Sequence, residues 1–177
     1  GGWVSHLSLA VYEGTAYLAY ADDNRYDAAA VMWYKLPVLP PSSVWETVGS
    51  GTLSSPYSSF TSLFINEGIP YIAFSDEVGG NDRLVAERFV GNQWEAVGLS
   101  RYAAGSVQDG TVYVDEDTDT PYLAYITYLG DVVVLKLADF GEIIDWTTVG
   151  RTNSSGASGL SVYVHDGVSY VAYADTS

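Results

Sequence analysis

Apolar and polar residues alternate along most of this chain, in short runs separated by glycine-bearing turns. Leu7-Ser8-Leu9-Ala10-Val11, Ser62-Leu63-Phe64-Ile65, Thr111-Val112-Tyr113-Val114 and Leu160-Ser161-Val162-Tyr163-Val164 place apolar side chains largely at alternate positions. That is the period of a strand with one buried face. Glu13-Gly14, Glu67-Gly68 and Asp166-Gly167 follow three of these runs, and glycine supplies the positive φ that tight hairpins need. Next come Tyr17-Leu18-Ala19-Tyr20, Tyr71-Ile72-Ala73-Phe74, Tyr122-Leu123-Ala124-Tyr125 and Tyr170-Val171-Ala172-Tyr173. Apolar residues at successive positions predict strands buried on both faces. Their shared alanine predicts the close approach of a neighbouring sheet.

Two further strands are predicted in each repeat. One is Ala30–Leu36, Leu84–Phe89 and Val132–Leu137; the other is Trp45–Gly49, Trp94–Gly98 and Trp146–Gly150. The aromatic quartets end at positions 20, 74, 125 and 173, a period of about 50 residues that marks a propeller or an array. Laid on residues 158–175 without a gap, residues 5–22 match at ten of eighteen positions. Four short strands per repeat with turns between them describe a propeller blade, whereas a two-sheet sandwich gives no reason for the self-similarity. The expected fold is an all-β propeller of four-stranded antiparallel blades, occupying 1–49, 50–98 and 99–150, with half of a fourth blade in 151–177. Since propellers close with roughly 4–8 blades, this chain is not expected to close alone. It is either a piece of a longer propeller or a unit that associates with copies of itself, leaving two-stranded ends.

The Trp-x-x-Val-Gly ends of the repeats and the Pro-Tyr-x-Ala-Tyr-x-Asp strand, seen here around Pro70-Tyr71 and Pro121-Tyr122, resemble a group of bacterial β-propeller repeat proteins over nearly the whole chain. No Gly-His or Trp-Asp pair recurs as in WD repeats, and a single glycine ends the first strand where kelch repeats have two. The Ser-x-Asp-x-Gly-x-x-Trp box of sialidase-like propellers is absent, with Ser75-Asp76-Glu77-Val78-Gly79 carrying its ingredients at another spacing. The resemblance implies a fold and an extracellular or cell-surface setting, and no defined activity.

Charge narrows the partners. With 22 acidic against 7 basic residues the formal net charge is −15, which disfavours phosphate backbones and anionic membrane surfaces. No nucleic-acid partner and no membrane insertion are expected, since no apolar run approaches the roughly 20 residues of a span. The chain has no cysteine, so disulfides, thiolate zinc sites and cysteine nucleophiles are excluded. Gly1-Gly2-Trp3-Val4-Ser5 has neither the basic start nor the apolar stretch of a signal peptide.

Three groups of residues are candidates for chemistry. Arg25 and Arg83 fall between second and third strands, while Arg101 and Arg151 fall between blades. In a propeller both kinds of loop emerge on one face. Tyr26, Tyr102, Asp22 and Asp76 share that rim, and forks, rings and carboxylates together suit a sugar or a small anionic ligand. The plainer reading is that the arginines offset the surplus acids around them. Asp115, Asp117 and Asp119 alternate like the start of a calcium loop, although Thr120 stands where its glycine belongs, and a solvated hairpin tip explains the same run. Calcium is therefore the sole cofactor considered, and none is required. Asp22, Asp76 and Asp175 recur after the quartet and would ordinarily accept backbone hydrogen bonds in the next turn. Lys35, Arg88 and Lys136 share a repeat position facing Glu46, Glu95 and Asp145, which reads as cross-strand ion pairing. His6 and His165 occupy different repeat positions, so neither a catalytic metal nor a Ser-His-Asp triad is indicated.

Three functions remain open. The leading expectation is a non-catalytic binding or scaffolding propeller that takes a glycan or other small ligand on its loop rim. The alternatives are a fragment of a propeller glycoside hydrolase, and a structural repeat unit that assembles with further blades or with itself.

Overall fold

The computed structural model describes residues 3–35, 45–49, 52–99, 102–139, 141 and 143–176, with the side chains of Arg25, Tyr34, Lys35 and Tyr102 outside that description. The first sheet is β1 (Val4–Tyr12), β2 (Thr15–Asp22), β3 (Ala28–Lys35) and β4 (Glu46–Thr47). The second is β5 (Thr61–Asn66), β6 (Ile69–Val78), β7 (Asn81–Val90) and β8 (Gln93–Ala96), with β9 (Tyr102–Gly105) also paired to β7. The third is β10 (Val107–Asp115), β11 (Thr120–Thr127), β12 (Val132–Asp139) and β13 (Ile144–Arg151); β14 (Ala157–His165) and β15 (Val168–Asp175) form a two-stranded fourth. Apart from β9, spatial order follows chain order in every sheet, and all pairs are antiparallel. The protein is an all-β propeller, and each sheet is a blade.

The turns explain the first pairing in each blade. Glu13 and Gly14 have φ of 44° and 75°, Glu67 and Gly68 48° and 81°, and Asp166 and Gly167 49° and 72°. Positive φ at both central residues is the hairpin turn whose twist matches the strands it joins. In the third blade the turn is longer, and Asp115 organises it: its carboxylate accepts from Thr118 Oγ1 at 2.8 Å and from the Asp117 amide at 3.4 Å.

The cores lie between blades, which is why the quartet strand is apolar on both faces. Ile72 and Phe74 pack with Ala19, Val31 and Val48 of the first blade. Tyr71 and Ala73, pointing the other way from the same strand, pack with Val112, Val114 and Leu135 of the third. Tyr122 and Ala124 then meet Val162 and Val164 of the fourth. Ala19, Ala73 and Ala124 are each 0% exposed, so in three blades the recurrent alanine marks the close sheet approach expected of it; Ala172 in β15 is exposed, since no further sheet packs on that face among the described residues.

The fourth strand departs from the regular pattern in the second blade. β8 stops at Ala96, and β9 takes up pairing with the rest of β7 through Arg83↔Gly105 and Leu84↔Ala104. In the first blade the Val48 amide donates to the Val31 carbonyl at 3.0 Å, and the Leu53 amide donates to the Ala29 carbonyl at 2.8 Å. In the third, β13 runs unbroken to Arg151 across a bulge.

The ion-pair expectation holds in one blade. Arg88 and Glu95 are register partners with Nε and Oε1 2.8 Å apart. Lys136 faces Thr147 instead, because Asp145 pairs with Ala138, and its ammonium lies 5.8 Å from the centre of the Tyr122 ring. Glu46 is opposite Trp33, and the Lys35 side chain lies outside the described residues.

Candidate functional site

The connections from second to third strands and from blade to blade are tied together along one rim. The Tyr57 amide donates to the Tyr26 carbonyl at 2.6 Å and the Ser58 amide to the Asp27 carbonyl at 2.8 Å. Further round, the Tyr128 amide donates to the Ser106 carbonyl at 3.2 Å and the Ala157 amide to the Gly130 carbonyl at 3.3 Å. Segments distant in sequence thus form one continuous edge.

Between the first and second blades this edge opens into a cleft of 300 Å³. Its walls carry the carboxylates of Asp27, Glu77 and Asp82 beside His6, Tyr57 and the hydroxyls of Ser5, Ser58 and Ser59. Glu77 and Asp82 are register partners in the β6–β7 hairpin, so their Cβ atoms stand roughly 5 Å apart on one face. Tyr128 donates its hydroxyl to Asp82 Oδ2 at 2.6 Å. That bond, with partial burial and the nearby negative charge, holds the phenol's proton above the ordinary tyrosine range. His6 is in the left-handed region at φ 52°, within the β1–β2 bulge, and the Thr61 hydroxyl donates to its carbonyl.

The residues proposed from sequence are dispersed around this edge. Asp22 caps a 3₁₀ turn, Asp23–Arg25, accepting from the Asn24 amide at 3.0 Å and from Asn24 Nδ2 at 3.2 Å. Tyr26 closes that turn with φ 59° and is 68% exposed. Arg25 belongs to the turn, with its side chain outside the described residues. Asp76 is buried and accepts the Ser55 amide at 2.7 Å together with the Ser55 hydroxyl, while Arg83 is its register partner. Arg101 lies outside the described residues, and Tyr102 opens β9 with its side chain outside them. Arg151 ends β13 and pairs with the buried Asp131 carboxylate, which raises the guanidinium pKa further.

The three alternating acids of the third-blade hairpin are turned to different partners. Asp115 organises its own turn, and Asp119 accepts from Asn66 Nδ2 at 2.9 Å. Asp117 comes together with His165 and Asp166, their ligand atoms lying within 4.8 Å of one another at an exposed position.

The sequence sets His6 aside as no part of a recurrent site, reads Asp82 as one of the rim acids that the arginines offset, and gives no signal for Asp27 or Glu77. One signal was present for His6, which replaces Gly159 of the otherwise matching fourth copy, and Gly159 also has positive φ, 60°. A side chain retained at a glycine-like bulge position is a mark of function or strain. Asp27, Glu77 and Asp82 had no comparable signal, because acids are abundant throughout the chain.

No family model and no curated protein matches the sequence. Solved structures do match the fold. A thermostable family-43 glycoside hydrolase superposes over 100% of this chain and 65% of its own, with a TM-score of 0.60 and 13% identity. An alpha-L-arabinofuranosidase from Clostridium thermocellum ATCC 27405 superposes over 96% of this chain and 63% of its own, with a TM-score of 0.53 and 16% identity. This chain therefore spans less than two thirds of the length of either protein. At these identities the likeness shows the propeller fold. Among the described residues no helix is long and apolar enough to cross a membrane.

Proposed function

We propose that this chain is part of a carbohydrate-acting propeller and that the cleft between its first two blades holds a sugar, with Glu77 and Asp82 as its acid pair. The observation that carries the reading is the pairing of these two carboxylates across one hairpin, in a cleft also lined by Tyr57 and several hydroxyls. Sugars are recognised by such mixtures of acceptors, donors and a ring face. Glycoside cleavage with retention uses two carboxyl groups about 5 Å apart, and register partners with Cβ atoms about that far apart are placed to bring their carboxyl groups to such a spacing. Many other acids are committed to structure: Asp22, Asp76, Asp115 and Asp131 each accept hydrogen bonds that shape a turn or tie loops together. Likeness to two glycoside hydrolases of the same fold supports the same class of substrate. In this role Asp82, held by Tyr128, attacks the anomeric carbon to form a glycosyl ester as Glu77 gives its proton to the leaving oxygen; Glu77 then takes a proton from the water that hydrolyses the ester.

The test is a panel of aryl arabinofuranosides and xylosides, with calorimetric titration of the matching oligosaccharides alongside. Hydrolysis lost in both Glu77→Gln and Asp82→Asn supports the catalytic reading. Saturable binding without turnover, weakened by Tyr57→Ala, leaves the non-catalytic binding module. Neither turnover nor binding overturns the assignment of the cleft.

A further inference from the structure

The tryptophan of the Trp-x-x-Val-Gly repeat joins one blade to the blade before it. Trp94 Nε1 donates to the Val48 carbonyl at 2.8 Å, and Trp146 Nε1 donates to the Val97 carbonyl at 2.9 Å. The glycine after each valine makes room. Gly49 and Gly98 have φ of +80° and +98°, and a Cβ on either would stand 3.0 Å from the incoming indole. Each Val-Gly pair is thus the seat of the next blade's indole.

The third pair, Val149-Gly150, is in a different state. Val48 and Val97 are 6% and 4% exposed, whereas Val149 is 49% exposed. Thr148 faces Leu135 and Gly150 faces Val134, so Val149 is looped out of the ladder. A Cβ on Gly150 would meet nothing within 4 Å. Beside it lies a cleft of 300 Å³ bounded by Val134 on one side and by Ser169 and Val171 of β15 on the other.

We infer that this cleft is the seat of a fourth indole, and that its occupant is a β-hairpin that pairs with β15 and carries tryptophan on its outer strand. Two filled seats in the same molecule define what fits. β15 carries the same Tyr-x-Ala-aromatic quartet as β2, β6 and β11, each of which pairs with a third strand on the side away from the first. A hairpin is required because the indole reaches the preceding blade from the fourth strand, which is held in place by the third. Trp94 and Trp146 are already seated within the chain, and the motif's remaining tryptophan, Trp45, precedes β4, whose neighbour β3 is already paired with β2, which disfavours a second copy as the donor.

The test titrates a synthetic peptide with the sequence of residues 79–98, the chain's own third and fourth strands with Trp94, into the full 177-residue chain. The expected result is saturable one-to-one binding with a blue shift of the peptide's indole emission. Binding should weaken at least tenfold for the Trp94→Ala peptide, and equally for the Gly150→Val chain. Open space at Gly150 leaves that variant's Tm unchanged; if it does not fold, Ser169→Phe blocks the same cleft from β15. Absence of saturable binding, or binding indifferent to the tryptophan and to both blocking variants, overturns the inference. Self-association of the chain alone, abolished by Gly150→Val, would name a second copy as the occupant and overturn the assignment to a separate hairpin.

Discussion

Replacing Trp146 with phenylalanine should lower stability by an amount that the inter-blade contact itself sets. The indole N–H to the Val97 carbonyl, at 2.9 Å, is lost, and Val97 is 4% exposed. A carbonyl left unpaired in such a place costs about 1–3 kcal/mol. The smaller ring also gives up apolar contact, about 1 kcal/mol at roughly 25 cal/mol per Å². Trp146 is itself only half-buried, so the lower part of the range applies, about 2 kcal/mol in all. For a domain of 150–250 residues this is a Tm decrease of about 4–8 °C, read by thermal and urea unfolding. Trp3→Phe is the control, since Trp3 is 82% exposed and should change stability by less than about 0.5 kcal/mol. Gly98→Ala attacks the same junction from the other side, at φ +98° with its Cβ 3.0 Å from the indole nitrogen. Its cost and that of Trp146→Phe should fall short of additive, because the smaller ring relieves the clash. If Trp146→Phe and Trp3→Phe behave alike, or if the two junction changes simply add, the account of the motif as an inter-blade seat is refuted.

Other outcomes follow from residues of one type in unlike surroundings. Asp76→Asn should cost about 1–3 kcal/mol by weakening the bonds from the Ser55 amide and hydroxyl; an unchanged urea midpoint would contradict this. Likewise Asp115→Ala should destabilise the third-blade hairpin, and Asp117→Ala should not, as measured by thermal melts. Tyr17, Tyr113 and Tyr125 hold their protons above the ordinary range chiefly through burial, and Tyr128 through Asp82. A raised folded pKa adds stability that is present below the unfolded value, near pH 10, and is lost as pH rises through the folded values. Tyrosinate absorbance should therefore rise late, above pH 10, and Asp82→Asn should bring forward the Tyr128 component alone.

Blade architecture was legible because the repeats expose it: the alanine of the quartet strand is buried in the first three blades, and the Glu-Gly and Asp-Gly turns dictate hairpin geometry at each of their copies. What escaped were features that differ between copies. Nothing in Trp146-Thr147-Thr148-Val149-Gly150 shows that Val149 is looped out, since the equivalent Val97 is buried and its amide donates to the Ala86 carbonyl. Lys136 is a different case: the motif places Thr147 where Glu46 and Glu95 stand, so the missing acid opposite it is in the sequence, while its approach to Tyr122 is not. The rim site was legible as a face and not as residues. Loops bring Asp27 and Tyr57 beside Glu77 and Asp82, a juxtaposition made by backbone bonds between segments that no spacing along the chain encodes. Arginine and tyrosine were sought there because they are scarce or conspicuous, while the acids that line the cleft were hidden among their own kind.

The placement of the cores between blades also sets the order in which the molecule opens. The second blade is held on both faces, by the first blade and by the third. The two-stranded fourth is held on one face, through Val162 and Val164, with Tyr163 and Tyr170 left more than half exposed. In a structure whose units touch neighbours alone, stability is a sum of unit and interface terms. Amide hydrogen exchange should then be graded along the chain, slowest in β6 and β7 and fastest in β15, with the last blade detaching in a sub-global opening well below the free energy of complete unfolding. A molecule stacked in this way frays from its ends, and the blade that opens first is the one whose β15 borders the unfilled indole seat of the third.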